Sequence, residues 1–339
     1  MRTDRRNRDD GWTRREFLRR AAAAGLAPAS GTLLGSCGGS PLWAETFIAK
    51  AADYGADIAS TVLSGLKELG IDPSEIRGKT VLLKPNLVEP YAGSGHINTH
   101  PQVVRGAAEA FLRFGASRIL VAEGPGHNRD TLLVLEVSGL GEALVEDRIP
   151  FVDLNYDAVQ SVPNAGRWTD LKVLALPATL RRADWIVSMP KMKTHHWAGV
   201  TLSMKNLFGL MPGSYYGWPK NLLHWKGIGP CILDINATVR PHFAIVDGIV
   251  GMEGDGPIMG TPKRAGVLVM GRSLPAVDAT CARVMGIDPG KIPYLAEASG
   301  RLGPTAEILV RQRGERVASV RTDFRLEERI PAQRGLRAP

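Results

Sequence analysis

Cationic and imidazole side chains are concentrated behind one apolar segment in the middle of the chain. The segment, Trp185-Ile186-Val187, has the character of a buried strand and is stopped by Pro190. The side chains that follow it within 16 positions are Lys191, Lys193, His195, His196, Lys205 and Asn206. Met, Trp, Val, Leu and Phe residues lie between them, which is unusual for a solvated loop. The pattern predicts a lined pocket, with a plain basic loop as the alternative.

Several of these groups, and others near strand ends, have the chemistry to hold a small anion. Lysine ammonium groups are point charges suited to carboxylate or phosphate. A glycine-rich loop at 251–256 offers backbone N–H groups that could nest an anion, although such loops are often plain turns. The chain has neither a P-loop nor a dinucleotide-binding glycine pattern, so a nucleotide is not favoured. The predicted anion-binding residues are Lys84, Asn86, Lys191, Asn206, Gly254 and Gly256.

Acid–base or nucleophilic chemistry is a second interpretation of the same stretch. A lysine surrounded by Met, Trp and Phe loses hydration, which lowers its pKa and suits a base or a Schiff-base amine. Lys193 and Lys205 are the candidates, and with His195 they form the predicted reacting centre. The alternative is that their stems pack while their ammonium groups reach water.

A divalent metal is the third interpretation, with His195, Glu123 and Asp247 as the predicted ligands. Adjacent His195 and His196 would point to opposite sides of a strand, so only one is an easy ligand there. No HExxH spacing is present. Cys231 and Cys281 are too few and too far apart for a cysteine-ligated iron–sulfur cluster or a four-cysteine zinc site. The cofactor therefore stays unidentified, with a divalent metal as one option.

The elements that must position these groups alternate along the chain. Apolar runs separated by helical patterns predict an α/β fold with a mostly parallel sheet flanked by helices, in one body or two lobes. The main predicted helices cover residues 51–70, 101–115, 132–145, 231–240 and 274–285. The main predicted strands cover residues 80–83, 117–122, 151–155, 172–176, 242–246 and 265–270. A strand pair is predicted for residues 308–324. Residues 326–339 are predicted to form a basic tail that is not packed on the domain.

Unusual polar residues follow the carboxyl ends of these runs. They are Lys84, Asn86, Glu123, Asp153, Asn155, Lys191 and Asp247. Ligands bind at that edge in open α/β sheets. Five strands are therefore expected to bring their polar groups to one rim, although polar residues also stand at the amino ends.

The first 45 residues are expected to be an export signal and linker, followed by an α/β domain over residues 46–325. The stretch around Arg14-Arg15 resembles the twin-arginine export motif, and the apolar segment after it is too short and mild for a membrane span. Leu34-Gly35-Ser36-Cys37 resembles a lipobox with Cys37 as the acylated residue; cleavage after Ala44 is the alternative. These features predict a periplasmic, membrane-anchored lipoprotein exported by the twin-arginine translocase.

The net charge does not indicate a nucleic-acid-binding protein. The 339 residues carry a net charge of +8. The first 37 residues hold eight Arg and four Asp or Glu, so the chain after them carries only +4. A charge that small lacks the electrostatic excess with which proteins hold a phosphate backbone.

Seven short motifs together resemble the bacterial and archaeal domain of unknown function 362 family. In order, they are Lys84-Pro85-Asn86, Thr99-His100-Pro101, Glu123-Gly124-Pro125, the stretch from Met189 to His195, the stretch from Val200 to Gly209, Val246-Asp247-Gly248 and Gly254-Asp255-Gly256-Pro257. The resemblance covers about residues 81–286 and implies no established activity. Some relatives carry ferredoxin-type cysteine motifs; this chain lacks them, so electron transfer is not implied.

A fainter similarity concerns the nickel-pincer lactate racemase family. Lys193-Thr194-His195-His196-Trp197-Ala198-Gly199, with Lys205 downstream, is similar in layout to a segment of that family. On this layout, His195 or His196 would be the metal-site imidazole and Lys205 the cofactor-bearing lysine. Ser203-Met204 stands where that family has a pair of glycines.

Together these observations predict an exported α/β enzyme that acts on a small anionic substrate. Lys193, His195 and Lys205 would react, Lys84, Asn86 and Lys191 would hold the anion, and Glu123 and Asp247 would complete a metal or proton-transfer site. The alternative from another class is a non-catalytic lipoprotein that captures a ligand or handles a cofactor.

Overall fold

A computed structural model describes residues 42–93, 95–126 and 130–338. Its strands are β1 (Ala44–Lys50), β2 (Thr80–Pro85), β3 (Arg118–Glu123), β4 (Phe151–Asp153), β5 (Val159–Pro163), β6 (Val173–Pro177), β7 (Trp185–Met189), β8 (Lys191–His195), β9 (Gly199–Thr201), β10 (Phe243–Glu253), β11 (Thr261–Gly271) and β12 (Val310–Gly314).

The α-helices of the described residues vary from single turns to more than three turns. They are α1 (Ile58–Glu68), α2 (Pro73–Ile76), α3 (Pro101–Arg113), α4 (Thr131–Val137), α5 (Leu140–Glu146), α6 (Ser203–Asn206), α7 (Gly213–Tyr216), α8 (Asn221–Trp225), α9 (Ile228–Val239), α10 (Leu274–Val284), α11 (Pro293–Ala298) and α12 (Val317–Val320). Short 3₁₀ helices cover Ala178–Arg182, Leu207–Leu210, Pro289–Lys291, Glu307–Leu309 and Pro331–Gln333.

One large sheet, mostly parallel, organises the molecule and confirms the predicted fold class. Its strand order is β12-β1-β11-β10-β7-β2-β3-β4, and β8 joins through β10 and carries β9. The pairs from β10 through β7, β2 and β3 to β4 are all parallel, whereas β11 is antiparallel to both β1 and β10. The carboxyl ends of five strands therefore meet at one edge, as the sequence predicts.

The two faces of this sheet carry two separate apolar cores. Along β2, Val81 and Leu83 pack with α1 and α3, whereas Leu82 packs on the other face with α9 and α10. Side chains alternate between the faces of a strand, so an uninterrupted apolar run is required when both faces are covered. This explains why the run of residues 80–83 predicts a central strand correctly.

Helix boundaries follow their capping residues. The helix predicted over residues 51–70 begins only at Ile58, because the Asp57 carboxylate accepts a hydrogen bond from the Ser60 amide and caps the first turn. The helix predicted over residues 132–145, which Ser138, Gly139 and Gly141 are expected to break, is indeed two helices, α4 and α5. Gly139 divides them with a φ of 74°, a backbone conformation that glycine adopts readily.

The strand pair predicted near the end of the chain is wrong. Residues 308–324 do not form a strand pair: β12 pairs in parallel with β1, and residues 317–320 form α12. The Gln312 side chain accepts a hydrogen bond from the Val317 amide at 2.8 Å, which favours a helical turn after the strand. The strand predicted at residues 172–176 is confirmed as β6, which forms a separate antiparallel pair with β5 outside the main sheet.

The domain limits also differ from the predicted ones. β1 begins at Ala44, inside the stretch assigned to the linker. Residues 326–338 do not fray, because Ile330, Gln333 and Leu336 are buried and Leu336 joins one of the cores. All described residues belong to a single compact unit, so the second lobe that the sequence allowed is absent from this part of the chain.

Cys231 and Cys281 are both free and buried. Among the described helices, none combines the length and the apolar character that a membrane span needs.

Candidate functional site

A cavity of about 90 Å³ lies at the carboxyl ends of β2 and β3, beside the β8–β9 hairpin. Among the residues that line it are Asn86, Glu123, Lys193, His195, His196, Trp197, Thr201, Lys205, Asn206, Phe208, Gly209, Lys220, His224 and Pro257. The predicted reacting centre is therefore brought together: Lys193, His195 and Lys205 all line this one cavity. Of the predicted anion-binding residues, Asn86 and Asn206 line it as well.

The hairpin explains how separate residues reach the cavity. Lys193 pairs with Thr201 across the two antiparallel strands, and His195 pairs with Gly199. Lys193 and His195 are two residues apart, so they share a face of β8. β8 ends at His195, so His196 lies in the turn and not on the opposite strand face; both rings line the cavity, with centroids 4.8 Å apart.

Lys205 is the cation of the cavity that lacks an acidic partner. Among the described residues its ammonium makes no hydrogen bond or ion pair, and its contact is with the Phe208 ring, whose centroid lies 5.2 Å from Nζ. Burial, followed by repulsion from Lys84, lowers the pKa of Lys205 from 10.5 to about 8, while Glu123 opposes the shift. At neutral pH, a fraction of this side chain is already a neutral amine.

A buried carboxylate fixes the short helix that carries Lys205. Asp278 of α10 accepts hydrogen bonds from the Ser203 amide at 2.7 Å, the Met204 amide at 3.0 Å and the Ser203 hydroxyl. These are first-turn groups of α6 that would otherwise be unsatisfied. Burial raises the pKa of Asp278 to about 7. Asp278 therefore positions Lys205 from behind the cavity wall.

Lys84 and Glu123 form a buried ion pair next to the cavity. Lys84 Nζ donates to the Glu123 carboxylate, to the Pro85 carbonyl at 2.8 Å and to Asn206 Oδ1 at 3.1 Å. Burial lowers the pKa of Lys84, and Glu123 opposes that effect. Lys84 is only 1% exposed and lies behind the wall, so its predicted role in direct anion binding is wrong.

Gly209 leaves the space that this ion pair occupies. A Cβ atom at Gly209 would stand 1.9 Å from Glu123 Oε1 and 2.6 Å from Lys84 Nζ. The 3₁₀ turn that follows α6 can therefore press against the pair only with glycine at this position.

Lys193 is held by backbone carbonyl groups and by no carboxylate. Its Nζ donates to Ile97 O at 2.8 Å and to Pro257 O at 3.2 Å. Burial, then repulsion from Lys205 and Lys191, holds its pKa well below the ordinary range. Lys193 thus ties two loops to the cavity wall and adds positive potential when protonated.

The His195 ring is fixed in one tautomer. Its Nδ1 accepts hydrogen bonds from the Trp197 amide at 3.0 Å and the Ala198 amide at 3.2 Å. Burial, then repulsion from Lys205, holds its pKa well below the ordinary value, so the ring is neutral and carries its proton on Nε2. His195 therefore offers an N–H donor, which makes it unsuited to the predicted role of metal ligand.

Lys220 is a cavity residue that the sequence does not reveal. Its backbone is left-handed, with φ of 69°, and Nζ donates to Asn155 Oδ1 at 2.8 Å and to the Met211 carbonyl. Burial lowers the pKa of Lys220 to about 7. It stands outside the motif-rich stretch, between a proline and an asparagine, so no local signal predicts it.

Two neutral polar atoms at the cavity have no hydrogen-bond partner among the described residues. They are Asn86 Oδ1 and Thr201 Oγ1, both buried. Buried polar atoms are rarely left unpaired, because the loss of hydration costs about 1–3 kcal/mol. Together with Lys205, they give the cavity an acceptor, a hydroxyl and an ammonium group that are free for a ligand.

A second buried cluster separates the remaining rim residues from the cavity. Lys191 Nζ donates to Asp247 and, at 3.0 Å, to the Tyr54 hydroxyl, while the His100 amide donates to Asp247 at 3.0 Å. Lys191 and Asp247 are both fully buried and do not line the cavity. The expected anion-binding role of Lys191 is therefore wrong.

The predicted metal ligands are not brought together. Within the described residues, no group of three or more His, Cys, Asp or Glu side chains could hold a metal ion. Glu123 is paired with Lys84 and Asp247 with Lys191. Each carboxylate is thus neutralised by a lysine, and the two stand in different clusters.

The glycine-rich loop does not present the predicted anion nest. The Gly254 amide donates to Arg325 O and the Gly256 amide to Gly254 O, both at 2.9 Å. The Gly254 carbonyl accepts from Thr194 Oγ1 at 2.8 Å and from Gln333 Nε2 at 2.9 Å. Neither glycine lines the cavity; the loop instead holds Pro257 in the wall. The predicted sites at Arg14, Arg15 and Cys37 lie outside the described residues.

Comparisons with known proteins identify a family and a sequence relative. A family model described as "Domain of unknown function (DUF362)" matches residues 81–283. The chain is 30% identical over 241 residues to a thylakoid-associated protein of Synechocystis sp., an alignment that covers 68% of this chain and 70% of that protein.

Two solved structures are similar in part. One is a crystal structure of a Thermotoga maritima protein, with 14% identity and a TM-score of 0.36 over 66% of this chain. The other is the lactate racemase apoprotein of Thermoanaerobacterium thermosaccharolyticum, with 17% identity and a TM-score of 0.43 over 72% of this chain. The chain spans 58% and 57% of the lengths of these two proteins.

Proposed function

The chain belongs to the DUF362 family, described only as a domain of unknown function, and we propose that it is an enzyme whose cavity binds a small anion. The anion is a carboxylate or a phosphate of a few heavy atoms. The observation that carries the proposal is the Lys205 ammonium, which lines the cavity and has no acidic partner among the described residues.

The charge balance of the cavity favours an anion. Lys193, Lys205 and Lys220 line it, and the one acidic residue of the described lining, Glu123, is already paired with Lys84. At neutral pH Lys205, with a pKa of about 8, is mostly protonated, and Lys220, with a pKa of about 7, is partly protonated. Buried charges interact through a lower effective dielectric constant than charges in water, so a bound anion is strongly attracted by the lysines that are protonated.

The size of the cavity limits the ligand. About 90 Å³ has room for a few waters or a small organic ion. The unpaired Asn86 Oδ1 and Thr201 Oγ1 can bind the neutral part of such a ligand. A nucleotide or a sugar phosphate would need a larger enclosure.

The residues divide into three roles in this proposal. The Lys205 ammonium binds the anion. In its neutral form, the Lys205 amine accepts a proton from the ligand or attacks an electrophilic carbon. His195 donates a hydrogen bond from Nε2 to a ligand oxygen. Lys193 and Lys220 add positive potential from the walls when they are protonated, while their own hydrogen bonds go to carbonyl or amide oxygens.

Calorimetric titration of the protein with acetate, pyruvate and phosphate tests the binding part of the proposal. We expect Lys205→Met to weaken the affinity for the bound anion about tenfold or more, because one charge-assisted hydrogen bond is worth about 1.5–3 kcal/mol. Lys67→Met is the matched control, since Lys67 is an exposed lysine of α1. Equal affinity in both variants would contradict the proposal.

Deuterium exchange into the carbon-bound protons of the ligand, followed by NMR in D₂O, tests the enzyme part. Lys205→Arg keeps the positive charge but removes an amine that titrates near neutral pH. We expect wild-type protein to exchange these protons and Lys205→Arg to bind without exchanging them. Binding without conversion of any ligand by the wild type would favour the alternative, a non-catalytic ligand-binding protein.

We further propose that the protein is exported through the twin-arginine translocase and anchored by a lipid on Cys37. The support is in the sequence: Arg14-Arg15 precede an Ala-rich segment, and Leu34-Gly35-Ser36 precede the cysteine. On this proposal, the cavity works in the periplasm on a small anion.

A further inference from the structure

Lys205 differs from the fully buried lysines around the cavity because, among the described residues, its Nζ has no hydrogen-bond acceptor. Lys84, Lys193 and Lys220 each donate to a carboxylate, a carbonyl or an amide oxygen, whereas Lys205 contacts the Phe208 ring. We propose that Lys205 forms an imine with the carbonyl carbon of a small oxo acid that binds in this cavity. The inference rests on the proposed anion-binding function and names its substrate class.

The surroundings of Lys205 increase the fraction of nucleophilic amine relative to an exposed lysine. Among the described residues no carboxylate accepts a hydrogen bond from its Nζ, and Lys84 and Lys193 lie near enough to repel its positive charge. With a pKa of about 8, a minor fraction of Lys205 is neutral at neutral pH, far more than of a lysine with the ordinary pKa of 10.5. A desolvated lysine beside other cations is the usual arrangement of an imine-forming lysine.

The cavity provides for both ends of an oxo acid. Positive potential from Lys193 and Lys220 suits the carboxylate, while the His195 Nε2–H group can donate to the carbonyl oxygen. The unpaired Thr201 hydroxyl and Asn86 oxygen remain to bind the hydroxyl group that forms during addition. A simple anion site would not require this set of neutral groups beside a free amine.

The step itself needs no further reactant. The Lys205 nitrogen attacks the carbonyl carbon, a C–N bond forms, and the carbonyl π electrons move to oxygen. A proton passes from nitrogen to that oxygen and gives a carbinolamine. The C–O bond then breaks, the oxygen leaves as water with the second proton of the amine, and a C=N bond remains. No oxidation or reduction takes place.

Trapping with cyanoborohydride tests the inference on the full chain. The protein is incubated with pyruvate or glyoxylate and sodium cyanoborohydride, and the mass of the intact protein and of its peptides is measured. We expect one reduced adduct per chain, and peptide mapping should place it on Lys205. Acetate, which binds as an anion but has no reactive carbonyl group, should slow the trapping.

Two lysine variants sharpen the result. Lys205→Arg should lose the adduct while it keeps the thermal transition of the wild type. Lys67→Arg, altered at an exposed lysine, should react as the wild type does. Because the mapping is done on wild-type protein, a variant that fails to fold would not decide the outcome.

Each result bears on one of the two claims. Adducts on another lysine, or spread over surface lysines, would overturn the inference. Binding of acetate and pyruvate without any trapped adduct would also overturn it and leave the anion-binding proposal intact. If neither binding nor an adduct is observed, both the imine inference and the anion-binding proposal are contradicted.

Discussion

At the scale of single residues, the cavity is defined by how its cations are partnered. Lys84 and Lys191 are neutralised by carboxylates and Lys193 and Lys220 are held by uncharged oxygens, whereas Lys205 has neither kind of partner among the described residues. A half-buried cation without such a partner costs stability, so it is retained only where something else requires it.

Removal of Lys205 should stabilise the ligand-free protein. We expect Lys205→Met to raise the free energy of unfolding at pH 7 by about 1–3 kcal/mol, because the variant no longer desolvates an ammonium group. Chemical denaturation of both proteins measures the difference. Lys67→Met, at an exposed position, should leave it near zero.

The pH dependence of this difference has a defined sign. Lys205 has a pKa of about 8 in the folded protein against an ordinary value of 10.5. Below pH 8 both states are protonated and the full cost of burial is present. Between pH 8 and 10.5 the folded state releases its proton first, so wild-type stability rises relative to the variant. A constant difference across this window would contradict the shift.

The sequence predicts site residues correctly where they lie close together along the chain. Lys193, His195 and Lys205 share one stretch, and the sequence brings them to one site correctly. It misjudges the role of His195, because the tautomer depends on two backbone amides in the following turn. It misses Lys220, which reaches the cavity through tertiary packing and not through a motif.

At the scale of elements, α6 and the 3₁₀ turn of Leu207–Leu210 assemble the site. Asp278 caps the start of α6, Lys205 projects from it, and Gly209 of the turn packs against the ion pair of Lys84 and Glu123. The segment of residues 203–210 therefore places the Lys205 amine beside the carboxyl ends of β2 and β3, where Lys84 and Glu123 lie.

Gly209→Ala should disrupt this junction. The added Cβ would overlap Glu123 Oε1 at 1.9 Å, so we expect a loss of about 1–3 kcal/mol in the free energy of unfolding and weaker anion binding. Gly126→Ala is the matched control, since Gly126 also lines the cavity and its Cβ would meet no atom of the described residues within 4 Å. Equal stability of the two variants would mean that the ion pair can move aside.

Elements with strong local signals are predictable, and elements defined by distant partners are not. The runs that become β2, β3 and β10 and the pattern of α10 are recognised from sequence. β12 is misjudged because its partner, β1, starts inside the presumed linker. The final segment packs because Gln333 reaches the carbonyl of Gly254, a contact that sequence periodicity does not show.

At the scale of the whole molecule, the carboxyl edge of the sheet is divided into two parts. The cluster of Lys191 and Asp247 fills one part with satisfied groups, and the cavity around Lys205 occupies the other. The sequence predicts one shared rim for all of these residues. The division depends on Tyr54, which hydrogen-bonds both Lys191 and Asp247 and comes from before β2.

The proposed export can be tested in cells. Arg14→Lys with Arg15→Lys should leave the protein in the cytoplasm, whereas the matched pair Arg5→Lys with Arg6→Lys should be exported normally. Cys37→Ser should still be exported but should lose its membrane association. Fractionation and immunoblotting measure both effects. Export of the first variant, or membrane association of Cys37→Ser, would contradict the respective part of the proposal.

The central claim is that the Lys205 ammonium holds a small anion, and the pH dependence of acetate affinity tests it most directly. Calorimetric titrations from pH 6 to pH 10 should show that the affinity falls by about tenfold per pH unit above about pH 8, because the Lys205 ammonium attracts the anion and the neutral amine does not. In Lys205→Arg this fall above pH 8 should be absent. An affinity that does not change with pH in the wild type, or the same fall in Lys205→Arg, would contradict the account.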